Sequence, residues 1–399
     1  MRRVTFSIVL LEAYAFLLAL LQSAGGVRTD EAKYLLSIPY PHPPILRSLF
    51  AFFASLPGSE FFWRFMIASA MVQGVWLLVD IGYVLSQRRR VALVCSWLFS
   101  VAFLTQAGTV MLAPLTGLFG IFCVVLAVRP RPIQQKSAPL VGCVWLLGLF
   151  SAYQCILYLP LLVSVLRSAH VSWRRIVLFL GVPLLLLVMY TLINPMIIAS
   201  LVKVGSQDAA VALSVRLLQV LWICVFAGSG LLTVLGMYGI FTGGRMDLFL
   251  TFFVILGYIF VTSQAYYAIL LTPMLVAGFM LLLARRRVDG WLFLPAHFIL
   301  TGVLLFRALP DMHPTPARAT MRLLQKNGIT GLVLIDGPFG HEWQYESSGP
   351  IGRFTQTLSS AVEAEAEAVV CTKKTCEEDI GEEWVRMEGA AVEVWVRRR

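Results

Sequence analysis

The chain has 399 residues, of which 58% are hydrophobic and 14% are charged, and its formal net charge is +10 at pH 7. Soluble globular proteins have about 25% charged residues, so this composition excludes an ordinary soluble fold. The positive charge does not indicate nucleic-acid binding, because the basic residues form short runs between apolar segments, as cytoplasmic loops do under the positive-inside rule. These runs are Arg2-Arg3, Arg88-Arg89-Arg90, residues 129–136, residues 167–175, Arg245 and Arg285-Arg286-Arg287.

Apolar runs recur along residues 4–307, and their length of about 18 to 25 residues is the length needed to cross a hydrocarbon core. Because backbone polar groups in lipid must be satisfied within the segment, we expect each run to be a helix. If all basic runs lie in the cytoplasm, an even number of spans separates each run from the next. The sequence therefore predicts a mainly α, polytopic membrane helical bundle of about eleven spans over residues 1–309. The expected spans are 4–23 and 61–85, two each within 90–129, 138–166, 176–244 and 247–284, and a last one at 290–307.

The first apolar segment, Val4–Leu21, follows two arginines and has the features of a signal sequence. The small residues Ala24-Gly25-Gly26 make a poor cleavage site and many apolar runs follow, so we expect an uncleaved signal anchor. This arrangement predicts an amino terminus inside the cytoplasm, with the loop at residues 24–60 and the tail at residues 310–399 both outside.

The external loop contains a dense group of titratable and turn-forming residues, TDEAKYLLSIPYPHPPIL at residues 29–46. Asp30 and Glu31 are candidate catalytic carboxylates, since one can deprotonate an acceptor hydroxyl while the other orients the acceptor or binds a metal. An acidic pair at the start of a helix can instead simply cap that helix and interact with its dipole.

Cations and polar side chains of the same loop are candidates for binding a phosphate leaving group. Arg28, Lys33 and Arg47 can neutralise its charge. His42, which lies between prolines in a restricted backbone, can donate to a phosphate oxygen or bind a metal. Lys33 and Arg47 can alternatively be anchors at the membrane interface. The candidate ligands of a divalent metal, if one binds, are Asp30, Glu31 and His42.

This loop resembles the first external loop of GT-C membrane glycosyltransferases, in particular the branch of protein mannosyltransferases and aminoarabinose transferases. In that branch an acidic DE pair, an alanine and a tyrosine follow the first span, and an HPP or KPP motif precedes an amphipathic helix. The matching residues are Asp30, Glu31, Ala32, Tyr34, His42, Pro43 and Pro44.

The resemblance implies an inverting transferase that moves a sugar from a polyprenyl-phosphate donor to a hydroxyl of a glycan, lipid or protein acceptor. It also implies that Asp30 is the catalytic base and that the protein lies in a bacterial inner membrane, with the active site outside the cytoplasm. Membrane lipid is then a partner, and nucleic acid is not.

Two further segments are similar to the family through weaker motifs. Residues 148–153, GLFSAY, resemble a segment reading roughly GLxxxSKY, although Ala152 stands where the family has a lysine. Residues 263–267, SQAYY, look like the late external turn that carries basic or aromatic residues near the donor. The run 106–117 lacks the second acidic residue that relatives often carry. The expected donor site therefore includes Tyr34 of the external loop and, from these two segments, Tyr153, Gln154, Tyr266 and Tyr267.

The composition changes from Pro310 onward, where charge rises and apolar runs shorten. We expect a small extracytoplasmic α/β domain at residues 310–399. Cys371 and Cys376 have the spacing of a short-loop disulfide, while two free thiols at a strand end remain an equal alternative. Helices are expected at 317–326 and 354–368, and strands at 331–335, 369–372 and 390–396.

Two other functions stay open from the sequence alone. The chain could be a catalytically impaired scaffold of GT-C fold, because the expected lysine and the second acidic residue are missing. It could also be a lipid or solute transporter. Transporters, however, bury ionisable groups at mid-membrane and have paired halves, whereas these apolar runs contain few charges and no internal repeat.

Overall fold

The computed structural model of the chain describes residues 2–36, 38, 43–53, 58–81, 85–199, 212–262, 264–286, 290–308, 314–329, 331–336, 341–347, 354–355, 366–371 and 383–397. Within these residues the fold is mainly helical, and a small mixed sheet lies near the carboxyl end.

Besides a short helical stretch at residues 195–199, the described residues up to Ala308 form sixteen α-helices, because apolar sequence in this part of the chain is not interrupted by strand-like alternation. They are α1 (Arg2–Gly25), α2 (Thr29–Leu35), α3 (Pro44–Phe53), α4 (Ser59–Ile81), α5 (Gln87–Leu98), α6 (Val101–Gln106), α7 (Leu112–Val128), α8 (Ala138–Ser151), α9 (Leu159–Ser168), α10 (Trp173–Ile176), α11 (Val182–Ile193), α12 (Leu213–Ala227), α13 (Leu231–Thr242), α14 (Met246–Thr262), α15 (Ala268–Arg286) and α16 (Leu294–Ala308).

Several of these helices have the length and composition of membrane spans. A fifth candidate is present if α12 and α13, which meet at an angle of 97°, form one broken span. These candidate spans are consistent with a membrane protein, as the composition predicts. The four continuous candidates are Ser7–Gly25, Ser59–Asp80, Trp173–Ile193 and Ala265–Arg286.

The count of eleven spans is not confirmed. Each expected interval contains a helix, but the helices between them include short apolar ones such as α7 and α14, each of 17 residues. Others are interrupted, as where α5 ends at Leu98 and α6 begins at Val101. The first of these breaks contacts the second, because the Val101 amide donates to Ser229 Oγ, at the α12–α13 break, over 2.9 Å. The external loop that the sequence predicts between the two spans of 176–244, near residues 203–208, lies outside the described residues.

Helix α15 lies in the interior of the helical part, since all of its residues from Ala268 to Leu283 are buried. Its closest neighbour is α13, and glycines allow the two backbones to touch. A Cβ atom on Gly239 would lie 1.8 Å from the carbonyl oxygen of Gly278, and one on Gly236 would lie 2.5 Å from that of Leu275. Small residues at such crossings let helices pack closely where lipid supplies no hydrophobic driving force.

The carboxyl-terminal part contains two helices and five strands among its described residues. The strand order is β2-β1-β3-β5-β4; β1 runs parallel to β2 and β3, while β5 is antiparallel to β3 and β4. Residues of α17, including Met321 and Leu324, share a buried apolar cluster with Val333 and Val370 of the sheet. The elements are α17 (Pro316–Lys326), β1 (Leu332–Asp336), α18 (His341–Ser347), β2 (Phe354–Thr355), β3 (Ala366–Cys371), β4 (Trp384–Arg386) and β5 (Glu393–Arg397).

The structure confirms α17, β1 and β5 within a few residues of the predicted bounds, and it corrects the helix predicted at 354–368. The two ends of that interval are strands, β2 and the start of β3. The alanines and glutamates there favour a helix by propensity, but pairing of β3 with β1 buries Ala366 and Ala368 and overrides that preference. Cys371 is disulfide-bonded, and its expected partner Cys376 lies outside the described residues.

Candidate functional site

The predicted acidic pair lies on α2, which begins just after α1 ends. The chain turns there at Gly26, whose φ of +89° is a conformation that favours glycine. Arg28 is the extended residue that precedes the helix, and Asp30 and Glu31 follow in its first turn, where the helix dipole favours negative charge. Because adjacent helical residues are about 100° apart around the axis, the two carboxylates face different surroundings.

The Asp30 carboxylate lies on the less buried face of α2. Its side chain is 40% exposed, and its Oδ1 is 2.8 Å from Nζ of Lys33, one turn along the helix. Asp30 also lies close enough to Tyr266 for the two side chains to interact electrostatically. A partly solvated carboxylate beside a cation and a phenol is accessible to a reacting molecule.

Four tyrosines near Asp30 form an aromatic group, which we call the tyrosine cluster. The ring centroids of Tyr266 and Tyr267 are 4.4 Å apart, and those of Tyr258 and Tyr267 are 5.0 Å apart. Tyr153 interacts electrostatically with Tyr258 and Tyr266. Buried Gln154 donates from Nε2 to Oη of Tyr267 over 3.5 Å. The structure thus brings together residues that are far apart in sequence and that the resemblance assigns to the donor site: Tyr153, Gln154, Tyr266 and Tyr267.

The Glu31 carboxylate is buried, and both of its oxygens are fully used. Oε1 accepts from Arg64 Nη1 at 2.8 Å and from the Val110 amide at 2.8 Å. Oε2 accepts from Arg64 Nη2 at 3.1 Å and from the Arg28 amide at 3.0 Å. With four donors in place, Glu31 has no lone pair directed at a substrate, and the geometry gives it a structural role instead of the predicted catalytic one.

Arg64 connects Glu31 to a buried ion network of five side chains, which we call the ion network. Arg64 donates from Nε to Glu60, one turn earlier on α4, at 2.9 Å. Arg318 of α17 contacts the same Glu60, with Nη2 2.5 Å from Oε2. Arg318 also binds Glu346 of α18, with Nη2 2.8 Å from Oε1. The network therefore runs from α2 through α4 into the carboxyl-terminal domain.

The ion network has three carboxylates and two guanidinium groups. Burial alone would lower the pKa of Arg318, but its hydrogen bonds to Glu60 and Glu346 outweigh that effect and raise it. Burial raises the pKa of Glu346 despite its contact with Arg318. The neighbouring Tyr345 has a pKa raised to about 12, first by burial and then by the two carboxylates.

Backbone contacts also hold the carboxyl-terminal domain against α1 and α2. The Thr315 amide donates to the Gly25 carbonyl over 2.8 Å, and Arg318 Nη1 donates to the Ser23 carbonyl. Thr29, the first residue of α2, donates from its hydroxyl to Glu342 of α18. Helix α18 packs directly on α2. The domain therefore covers one side of the helix that carries Asp30.

The remaining predicted residues of the external loop differ in how buried they are. Arg28 is exposed and lines, with Arg64 and Glu31, a small polar cavity of about 40 Å³, large enough only for water. Tyr34 is 4% exposed and its ring meets Phe50 of α3 edge-on, with centroids 5.7 Å apart, so it packs α2 against α3. Outside the described part of the chain lie His42 and the side chain of Arg47.

Of the candidate metal ligands, Asp30 and Glu31 lie in the described part of the chain, and His42 lies outside it. Glu31 is occupied by Arg64, and Asp30 is paired with Lys33. No cluster of three or more His, Cys, Asp or Glu side chains capable of holding a metal ion occurs among the residues that the structure describes.

Sequence reasoning missed Arg318 and Glu346, which complete the ion network. Arg318 lies in an amphipathic helix and Glu346 in a segment without periodicity, so neither has a local signal. Sequence reasoning also missed the contact of Arg64 with Glu31. A signal was present, since an arginine inside a long apolar segment is costly and therefore needs a partner.

No protein-family model, curated protein or solved structure matches the chain.

Proposed function

We propose that the protein is an inverting membrane glycosyltransferase that uses a polyprenyl-phosphate-linked sugar as donor. The observation that supports this most is the separation of roles on α2. Asp30 is 40% exposed beside Lys33 and the tyrosine cluster, while its neighbour Glu31 is held in the interior by Arg64. A single accessible carboxylate next to a cation suits a reaction that needs one base and one stabilised anionic leaving group.

In the proposed reaction, the acceptor hydroxyl oxygen attacks the anomeric carbon of the sugar as the bond from that carbon to the phosphate oxygen breaks. Asp30 takes the hydroxyl proton, and the polyprenyl phosphate leaves with the bonding electron pair. Lys33 and the exposed Arg28 are the described cations nearest in sequence to Asp30 that can balance the phosphate charge. The tyrosine cluster offers aromatic faces and hydroxyls to the sugar ring.

The test is a comparison of surface glycans and glycolipids by mass spectrometry from cells that carry the wild-type chain, Asp30→Asn or Asp80→Asn. Asp80 is a matched control, since its side chain is 53% exposed and pairs with Arg90 at 2.8 Å. We expect a product one sugar heavier with the wild type and with Asp80→Asn, and none with Asp30→Asn. A product that persists unchanged in Asp30→Asn would rule out Asp30 as the base.

A scaffold that binds the donor without turnover is the second candidate, and the loss of the family's lysine at Ala152 favours it over a transporter. The discriminating measurement is donor binding by purified protein together with the mass difference in cells. Binding without any sugar-dependent mass difference would support the scaffold, whereas both signals together support the transferase.

A further inference from the structure

A second polar cavity lies at the other end of the helical part from Asp30. It has a volume of about 330 Å³, at the lower end of the range for small-ligand pockets. Its walls come from the ends of α7 and α9, the segment after α7, and the start of α14. The polar residues that line it are Arg129, Ser164, Ser168, Arg245 and Asp247.

Helix directions place this cavity far from the Asp30 site. Helix α7 begins two residues after Val110, whose amide binds Glu31, and it ends next to Arg129 at the cavity. A helix of 17 residues is roughly 25 Å long. Helix α14 runs in the opposite sense, from Asp247 at the cavity to Thr262, one turn past Tyr258 of the tyrosine cluster. The cavity is therefore separate from the site described above.

The charged wall of the cavity is held in a fixed geometry. Arg245 binds Asp247 through two bonds, Nη2 to Oδ2 at 2.6 Å and Nε to Oδ1 at 2.9 Å. Its Nη2 also donates to the Ala127 carbonyl at the end of α7, over 2.9 Å. Ser164 of α9 donates to Asp247 at 3.0 Å. These contacts offset the negative charge of Asp247 and fix the Arg245 guanidinium at the cavity.

Arg129 is the second arginine in the cavity lining, and its positive charge remains after Asp247 has offset that of Arg245. It directly follows the last residue of α7, and its Nε donates to the Arg131 carbonyl over 2.5 Å. With two arginines against one aspartate, the cavity lining has a net charge of +1. Exposed Arg131, Lys136 and Arg167 lie nearby in sequence and add to the positive potential around the cavity. A negatively charged ligand is therefore favoured over a cation.

We propose that this cavity binds a phosphate group carried by a net-anionic molecule. Guanidinium groups match phosphate oxygens in geometry and charge, and the serine hydroxyls provide further polar contacts. Leu126 and Val165 form an apolar part of the lining, which suits the glycerol and upper acyl carbons of an anionic lipid. Basic pockets between apolar helices are known to bind such headgroups. The same chemistry would accept a soluble phosphate, and the experiment separates the two sources.

The test uses purified full-length protein in a neutral detergent with three probes: phosphatidylglycerol, phosphatidylcholine and inorganic phosphate. Native mass spectrometry measures lipid adducts, and the midpoint of thermal unfolding measures stabilisation by each probe. The variant is Arg129→Gln, and the control is Arg286→Gln, an exposed arginine at the same end of the bundle but outside the cavity. Losing one charged hydrogen-bond donor should weaken binding about ten-fold or more.

We expect phosphatidylglycerol to bind more tightly than phosphatidylcholine, with the loss confined to Arg129→Gln. Arg129-dependent stabilisation by inorganic phosphate, without a preference for phosphatidylglycerol, would identify a soluble phosphate as the source. The proposal is overturned if none of the three probes binds in an Arg129-dependent manner. None of these outcomes involves sugar transfer, so the result is independent of the function proposed for Asp30.

Discussion

Arg318 in α17 and Glu60 at the start of α4 form a buried ion pair, with Nη2 2.5 Å from Oε2 and side chains only 9% and 11% exposed. The two residues are 258 positions apart in the sequence. Because Glu60 also binds Arg64, which binds Glu31, the carboxyl-terminal domain and the helix that carries Asp30 share one charged network. The domain is therefore part of the structural support of the candidate site.

Replacing Arg318 with methionine should release the carboxyl-terminal domain from the helical part of the protein. The change leaves Glu60 and Glu346 buried without their shared cation, and breaking a buried ion pair in this way costs about 3–5 kcal/mol. We expect a lower midpoint of thermal unfolding and faster proteolysis near residue 315. Arg322→Met is the matched control, since Arg322 is exposed on the same helix. Equal proteolysis of the two variants would contradict the proposed role of Arg318.

The two acidic residues of α2 should respond to neutralisation in opposite ways. Glu31→Gln removes the charge that faces Arg64 in the interior, so we expect a loss of about 3 kcal/mol or more in the free energy of unfolding. Asp30→Asn disrupts only a partly exposed pair with Lys33, which is worth about 1 kcal/mol or less. Thermal unfolding of both purified variants measures the difference. A greater loss of stability in Asp30→Asn would reverse the assignment of roles.

Glu346 should make the stability of the protein depend on pH. Burial raises its pKa above the ordinary value of 4.5, so the folded protein binds this proton more tightly than the unfolded chain. The resulting stabilisation is fully present below the unfolded pKa and is lost as pH rises through the higher folded pKa. As pH rises above 4.5, we expect the wild type to lose stability relative to Glu346→Gln. The unfolding midpoint of the variant should therefore rise relative to that of the wild type. A difference that does not vary with pH would contradict a raised pKa.

The sequence predicts the parts of this structure that depend on local pattern. The apolar runs predict the helices, and the amphipathic segment at 317–326 predicts α17. The resemblance of residues 29–46 and 263–267 to segments of GT-C glycosyltransferases implies a site to which α2 and the tyrosines both contribute. Each of these follows from periodicity, composition or a motif within one segment.

The remaining features depend on contacts between distant segments. A DE pair does not reveal which carboxylate faces inward; that depends on Arg64, 33 residues beyond Glu31, and on Arg318, 258 residues beyond Glu60. The strand nature of Ala366–Cys371 depends likewise on pairing with β1. Local propensity cannot supply this information, because these arrangements are stabilised by contacts between residues that are far apart in the sequence.

The crossing of α13 and α15 should be intolerant of any added side chain. A Cβ atom on Gly239 would lie 1.8 Å from the Gly278 carbonyl oxygen. Because that oxygen belongs to the backbone, a side-chain rotation cannot relieve the clash. Gly239→Ala must therefore separate the two helices, and α15 lies in the buried interior. We expect a marked fall in the midpoint of thermal unfolding.

Gly257→Ala is the control for this substitution, because Gly257 lies within α14 and a Cβ atom there meets no atom within 4 Å. Alanine is favoured over glycine in a helix by about 1 kcal/mol, so this variant should be as stable as the wild type or more stable. Both variants add one methyl group to an apolar helix, and they differ only in what that group meets. A similar unfolding midpoint for the two would show that α13 and α15 do not cross at Gly239 and Gly278.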